Sequence, residues 1–171
     1  MSSTRCLLIA LLLAARGASA QESSLQHGGQ NGLTLQAGVL NLFTLSRATH
    51  DLVVVTPALT LGGTAATGDR GEWTASATVL APSTNQTSVG AALGVGYRIF
   101  TGEEEWKTFL STELKLHAWP LFRLGARIGV GVQYDWSPNW GGYVEGAASG
   151  LLGSGIAFGF DGGVGVQARF F

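Results

Sequence analysis

Ser111, Glu113 and His117 are the residue types of a nucleophile, an orienting acid and a base. They share one face of a segment that alternates apolar and polar side chains from Thr108 to Ala118. Their spacing forbids a triad. Ser111 and His117 are six residues apart, about 20 Å along an extended strand. No serine elsewhere is singled out as a substitute, so no catalytic residue is expected. His27 and His50 form no metal-ligand spacing. The run Glu103-Glu104-Glu105 reads as a solvated turn. Phosphate-loop, zinc and dinucleotide patterns are missing, so neither a metal nor a cofactor is expected.

The same alternation gathers a different chemistry. Arg98, Glu113, Lys115, Arg123, Arg127, Glu145 and Asp161 fall on one face of successive segments, and Glu72 can join them. Charges removed from water must be paired. These residues are therefore expected to form an ion-pair network whose role is structural.

That face needs strands to carry it. Period-two alternation runs through most of the chain and predicts eight strands. They are placed at about 33–45, 52–61, 73–81, 89–99, 108–118, 122–135, 142–152 and 154–171. The pattern is cleanest in the fourth, where Val89, Ala91, Leu93, Val95, Tyr97 and Ile99 oppose Gly90, Ala92, Gly94, Gly96 and Arg98. In the closing segment, Ile156, Phe158, Phe160, Val164, Val166 and Phe170 oppose glycines, Asp161, Gln167 and Arg169. The second strand is ambiguous, because Leu52 to Val55 is apolar on both sides. In the seventh, Tyr143, Glu145, Ala147 and Ser149 are expected inward.

Composition decides which face meets water. Only 12% of residues are charged and 26 are glycine, yet mean hydropathy is +0.26. A soluble sheet would carry Lys and Glu on its polar face, not glycine. A narrow barrel in lipid puts apolar residues outside and small residues inside. The expected fold is all-β, an eight-stranded antiparallel transmembrane β-barrel. Residues 1–20, with Arg5, an apolar run from Cys6 to Ala15 and the small residues Gly17 to Ala20, read as a signal peptide. Residues 21–32 are expected to be a flexible N-terminal segment and 33–171 the barrel. Past residue 20 there is no cysteine, and eight basic side chains face eleven acidic ones. Disulfide stapling and nucleic-acid binding are thereby set aside. Beyond the leader no apolar run is long enough for a membrane helix.

Aromatic side chains test the topology. With both ends on one side, Trp73, Tyr97, Trp106, Tyr134, Trp136, Trp140 and Phe170 all fall at the end bearing the termini. Trp119 and Phe122 fall at the other. Two such belts mark the two interfaces of a membrane.

The leader, the strand cadence, the glycine-rich segment Leu124 to Tyr134 and the aromatic end Phe170-Phe171 together resemble the small eight-stranded outer-membrane barrels of Gram-negative bacteria, the OmpA/OmpX-like porin-family group. The likeness covers about Leu33 to Phe171. It implies an outer-membrane location, lipid as the surrounding partner, and a closing strand (Val164, Val166, Ala168, Phe170) read by the barrel assembly machinery. The apolar frame here ends on Phe170 rather than on the last residue, which departs from that pattern. The function expected is a non-enzymatic, monomeric envelope barrel with a plugged lumen. The alternatives are a small porin-like channel and, behind it, an enzyme acting on outer-leaflet lipid.

Overall fold

The computed structural model describes residues 30–45, 53–68, 70–82, 89–102, 105–119, 122–153 and 155–170. The signal peptide expected at 1–20, and the segment at 21–32 apart from its last three residues, lie outside them. Eight strands are present: β1 (Asn31–Leu45), β2 (Val53–Ala66), β3 (Gly71–Leu80), β4 (Gly90–Thr101), β5 (Trp106–Trp119), β6 (Arg123–Ser137), β7 (Trp140–Leu152) and β8 (Ile156–Phe170). Each pairs antiparallel with its neighbours in sequence. β1 also pairs with β8, from Asn31 opposite Phe170 to Leu45 opposite Ile156, and so closes the barrel. Closure leaves no sheet edge, and every strand's backbone groups have a partner strand on both sides.

The alternation sorts side chains as the sequence predicts. Leu93, Leu114 and Ile128 are 54%, 59% and 59% exposed on the outside. No water-soluble barrel would leave so much branched apolar surface uncovered on every strand. The outside is a surface built for hydrocarbon. β2 resolves its ambiguity in the same sense, with Val55, Leu59 and Leu61 outward and Thr56 and Thr64 buried inside.

Several strands run longer than expected. β2 continues past Leu61 through Gly62-Gly63, which pair with Thr34 and Leu33. The two glycines look like a turn in sequence but lie within the strand, and the first is a close-packing position. A Cβ on Gly62 would crowd the Thr34 hydroxyl. β3 starts at Gly71 and β5 at Trp106, so Glu72 and Lys107 become barrel residues. The connections at the termini's end are short, and two of them use glycine in the left-handed region, Gly68 at φ 93° and Gly102 at φ 103°.

The belt at the termini's end forms as expected. At the termini's end Trp73 stacks edge-on against Tyr97 with centroids 5.1 Å apart, and Trp106 leans on Tyr134 at 4.7 Å. Trp136, Trp140 and Phe170 are exposed at the same end. Phe122 is exposed at the opposite end. The Trp119 backbone lies there too.

Candidate functional site: the barrel lumen

The inward positions build three layers of polar and charged side chains. The middle layer centres on Arg127 of β6. Its Nε reaches Asp161 Oδ1 at 3.0 Å, its Nη2 the same oxygen at 2.6 Å, and its Nη1 reaches Glu145 Oε1 at 2.8 Å. Glu113 Oε2 stands 3.8 Å from Nη1. Ser111 Oγ donates to Glu145 at 2.5 Å, and Ser76 Oγ donates to Glu113 at 2.6 Å. One planar guanidinium thus serves three carboxylates from β5, β7 and β8, while Ser76 takes up the other oxygen of Glu113 and Ser111 shares Glu145 Oε1 with Arg127. Charge-assisted bonds of this kind are the strong ones.

Glycines make the space for this layer. Gly94 lies where a Cβ would meet the Glu113 carboxylate. Gly129 lies where one would meet Glu145 Oε1 and Ser111 Oγ. Ser111 and His117, both buried, point into the lumen without meeting. Ser111 is bonded to Glu145 instead. The residue types of a triad are present and the triad is not.

Nearer the termini a second layer appears. Arg98 pairs with Glu72 at 3.1 Å and lies over the rings of Phe109 and Tyr143, 4.6 and 5.1 Å from their centroids. Phe100 completes this aromatic group, 5.6 Å from Phe109. Phe109 folds over Gly131 and Tyr143 over Gly165, each directly across the strand pair. Below them Asp135 receives Lys107 Nζ at 2.9 Å, Arg169 Nη2 at 3.0 Å and the Gln133 amide at 2.8 Å. The Gln167 amide donates to Thr64 at 3.1 Å and to Glu72 at 3.2 Å, tying the two groups together. Gln133 and Gln167 are 0% exposed. This end of the lumen is packed with buried polar side chains.

The third layer, at the far end, holds Lys115, His117 and Arg123. His117 and Arg123 face each other across β5 and β6. Between the middle layer and the hydroxyls of Thr34, Thr60 and Thr78 lies a polar cavity of about 70 Å³, bordered also by Lys115, Glu113 and Asp161. A space of that size holds a few water molecules.

All eight expected lumen charges therefore face inward. Six of them, Arg98, Glu113, Lys115, Arg127, Glu145 and Asp161, gather around one cavity. Lys107, Asp135 and Arg169 were not among the expected network. Continuing the β5 alternation back by one inward step, from Phe109 to Lys107, would have found the first. Among the described residues no group of three His, Cys, Asp or Glu side chains is arranged to hold a metal ion.

A closed antiparallel barrel with an apolar outside and a polar inside is a membrane-spanning barrel. No family model and no curated protein matches the chain. Solved structures do share its fold. Neisserial surface protein A matches with a TM-score of 0.65 at 12% identity, over 83% of this chain and 99% of that one. The N-terminal barrel of Pseudomonas aeruginosa OprF matches with a TM-score of 0.56 at 16% identity, over 83% and 99%. Ail, the attachment invasion locus protein of Yersinia pestis, matches with a TM-score of 0.52 at 10% identity, over 84% and 99%. At these identities the likeness is one of fold.

Proposed function

We propose that the chain is a non-enzymatic outer-membrane barrel of a Gram-negative bacterium that contributes to envelope structure, with its lumen plugged. The observation that carries this is the continuous set of buried contacts from Lys107 through Asp135, Arg169, Gln167 and Glu72 to Arg98. A solute pathway needs a continuous wet bore, and these side chains fill it. The location rests on the apolar exterior, the two aromatic belts and the shared fold. In this reading residues 1–20 are removed on export, the termini face the periplasm, and the β8 frame ending on Phe170 is the feature met by the barrel assembly machinery. Outer-membrane lipid is the barrel's principal partner, and the molecule works as a monomer.

Planar-bilayer recording tests it. The full folded chain is expected to give no discrete conductance steps. Regular steps that persist after repurification would replace the plug with a narrow channel. Lipid A from cells expressing the chain is expected to keep its mass. A new mass would turn the reading toward a lipid-modifying enzyme.

A further inference from the structure

Most glycines that face the lumen have a reason inside it. A Cβ on Gly94, Gly129, Gly131 or Gly165 would strike a side chain packed within the barrel. Gly146 of β7 has no such reason. It faces outward and is exposed, and a Cβ there would meet no described atom within 4 Å. On its cross-strand partner Gly162 a Cβ would make only an ordinary contact, at 3.6 Å. Glycine inside a strand gives up side-chain contact and adds entropy to the unfolded chain, and it often marks a place where a ligand comes close to the backbone.

The outer surface is concave at that place. One outward row runs across the strands from Ile99 through Leu110 and Val130 to Gly146 and Gly162, so it lacks side chains over two neighbouring strands. Val132 and Val144 stand in the next outward row toward the termini. An open apolar groove of about 660 Å³ lies among Ile99, Leu110, Val130, Val132, Val144 and Gly146.

The aromatic belt fixes the depth of this groove. Thr101 and Thr108 also border it, in the row of Val132, and their hydroxyls bond each other. One outward step further toward the termini, Trp106 leans on Tyr134. Trp106 and Leu110 are four residues apart, about 13 Å along the strand. The groove therefore begins beside the belt, where lipid ester groups lie, and runs from hydroxyls into branched aliphatic walls. That is the order of groups along a phospholipid, polar ester first and methylene chain after it.

We propose that this groove holds one acyl chain of a glycerophospholipid of the periplasmic leaflet, laid against Gly146 with its ester end toward Thr101 and Thr108. The site rests on the outer-membrane reading, since it is cut into the surface that hydrocarbon already covers. An unbranched chain follows a furrow bare of Cβ atoms and gains dispersion contact with backbone and valine walls together.

The full chain is folded into vesicles of palmitoyl-oleoyl phosphatidylcholine and extracted into nonionic detergent. Native mass spectrometry then counts retained lipid as the same phosphatidylcholine is titrated back. One lipid per chain is expected to bind saturably. Gly146→Leu fills the groove and is expected to raise the half-saturating concentration at least tenfold. Ala77→Leu places similar bulk on the outward face of β3, away from the groove, and is expected to leave it unchanged. Binding that Gly146→Leu leaves intact, in a variant shown to be folded by its unboiled gel mobility, would overturn the proposal. So would a doubled mass that Gly146→Leu abolishes, which would make a second copy of the chain the occupant. A parent chain that floats with the vesicles yet retains no lipid would sink the site alone. One that does not float with them would sink the outer-membrane reading itself.

Discussion

At the scale of single residues, Arg127 carries more than any other side chain. It neutralises carboxylates from three strands, and its own side chain is buried. Removing one partner of a buried ion cluster leaves uncompensated charge and costs about 3–5 kcal/mol. Arg127→Met is therefore expected to lower the urea midpoint of the folded barrel by that equivalent. The variant that also carries Glu145→Gln and Asp161→Asn should recover much of the loss. A lone Arg127→Met with an unchanged midpoint would show that the cluster does not hold the lumen. Glycine positions give a second, sharper contrast. A methyl on Gly131 or Gly165 runs into the Phe109 or Tyr143 ring, and overpacking of that kind costs about 1–3 kcal/mol. A methyl on Gly146 meets nothing within 4 Å, so Gly146→Ala should be neutral, or stabilising by about 0.4–1 kcal/mol through the unfolded chain. The middle layer was legible because Glu113, Arg127, Glu145 and Asp161 sit in the interior of cleanly alternating segments. The layer near the termini was not. Lys107 precedes the segment where alternation is obvious. The alternation puts Arg169 and Gln167 on the inward face, but their partners, Asp135 on β6, Thr64 on β2 and Glu72 on β3, lie on strands that are not their neighbours in sequence and show only once the barrel closes. Of the lumen aromatics Tyr143 was expected inward and lies there, whereas Phe100 and Phe109 were hidden, because a narrow glycine-rich bore suggests small residues; the cross-strand register shows that Phe109 and Tyr143 spend the space Gly131 and Gly165 release.

At the scale of elements, each strand is an amphipathic ribbon whose two faces answer to different solvents. Its outward face was readable wherever apolar residues alternate with glycine or charge, as in β4, β6 and β8. It was unreadable at the start of β2, where both faces are apolar, and at Gly62-Gly63, where a glycine pair reads as a turn. Pairing with β1 settles both, since β2 must follow β1 residue for residue from Phe43 opposite Val53 to Asn31 opposite Ala65. A strand whose outer face meets lipid should tolerate charge according to depth. Val130 lies mid-strand on β6 and Leu152 at the far end of β7, both outward. Val130→Arg is expected to cost about 2–4 kcal/mol and Leu152→Arg about 0–1 kcal/mol, measured by urea titration of the barrel in vesicles. Equal costs at both sites would mean that the outer surface is not spanning a bilayer.

At the scale of the whole molecule, two features reinforce one another. The sheet closes on itself, so no strand can leave without breaking the pairing on both of its sides. The lumen is braced by contacts that reach past the neighbouring strand, such as Arg127 of β6 to Asp161 of β8, Ser76 of β3 to Glu113 of β5, and Gln167 of β8 to Thr64 of β2. A barrel held by closure alone could ovalise. One held by closure and braces should unfold in a single step and resist detergent until it does. The folded chain in dodecyl sulfate without heating is therefore expected to migrate apart from the boiled chain, with one sharp temperature at which the first form converts to the second. Ser76→Ala and Gln167→Ala remove braces in two different layers of the lumen while leaving all eight strand pairs possible. Each should lower that temperature without adding an intermediate band, because closure still couples the strands. A gradual conversion through partly folded bands, in the parent chain or in these variants, would mean that the strands separate piecemeal and that the lumen contacts do not bind the barrel into one cooperative unit.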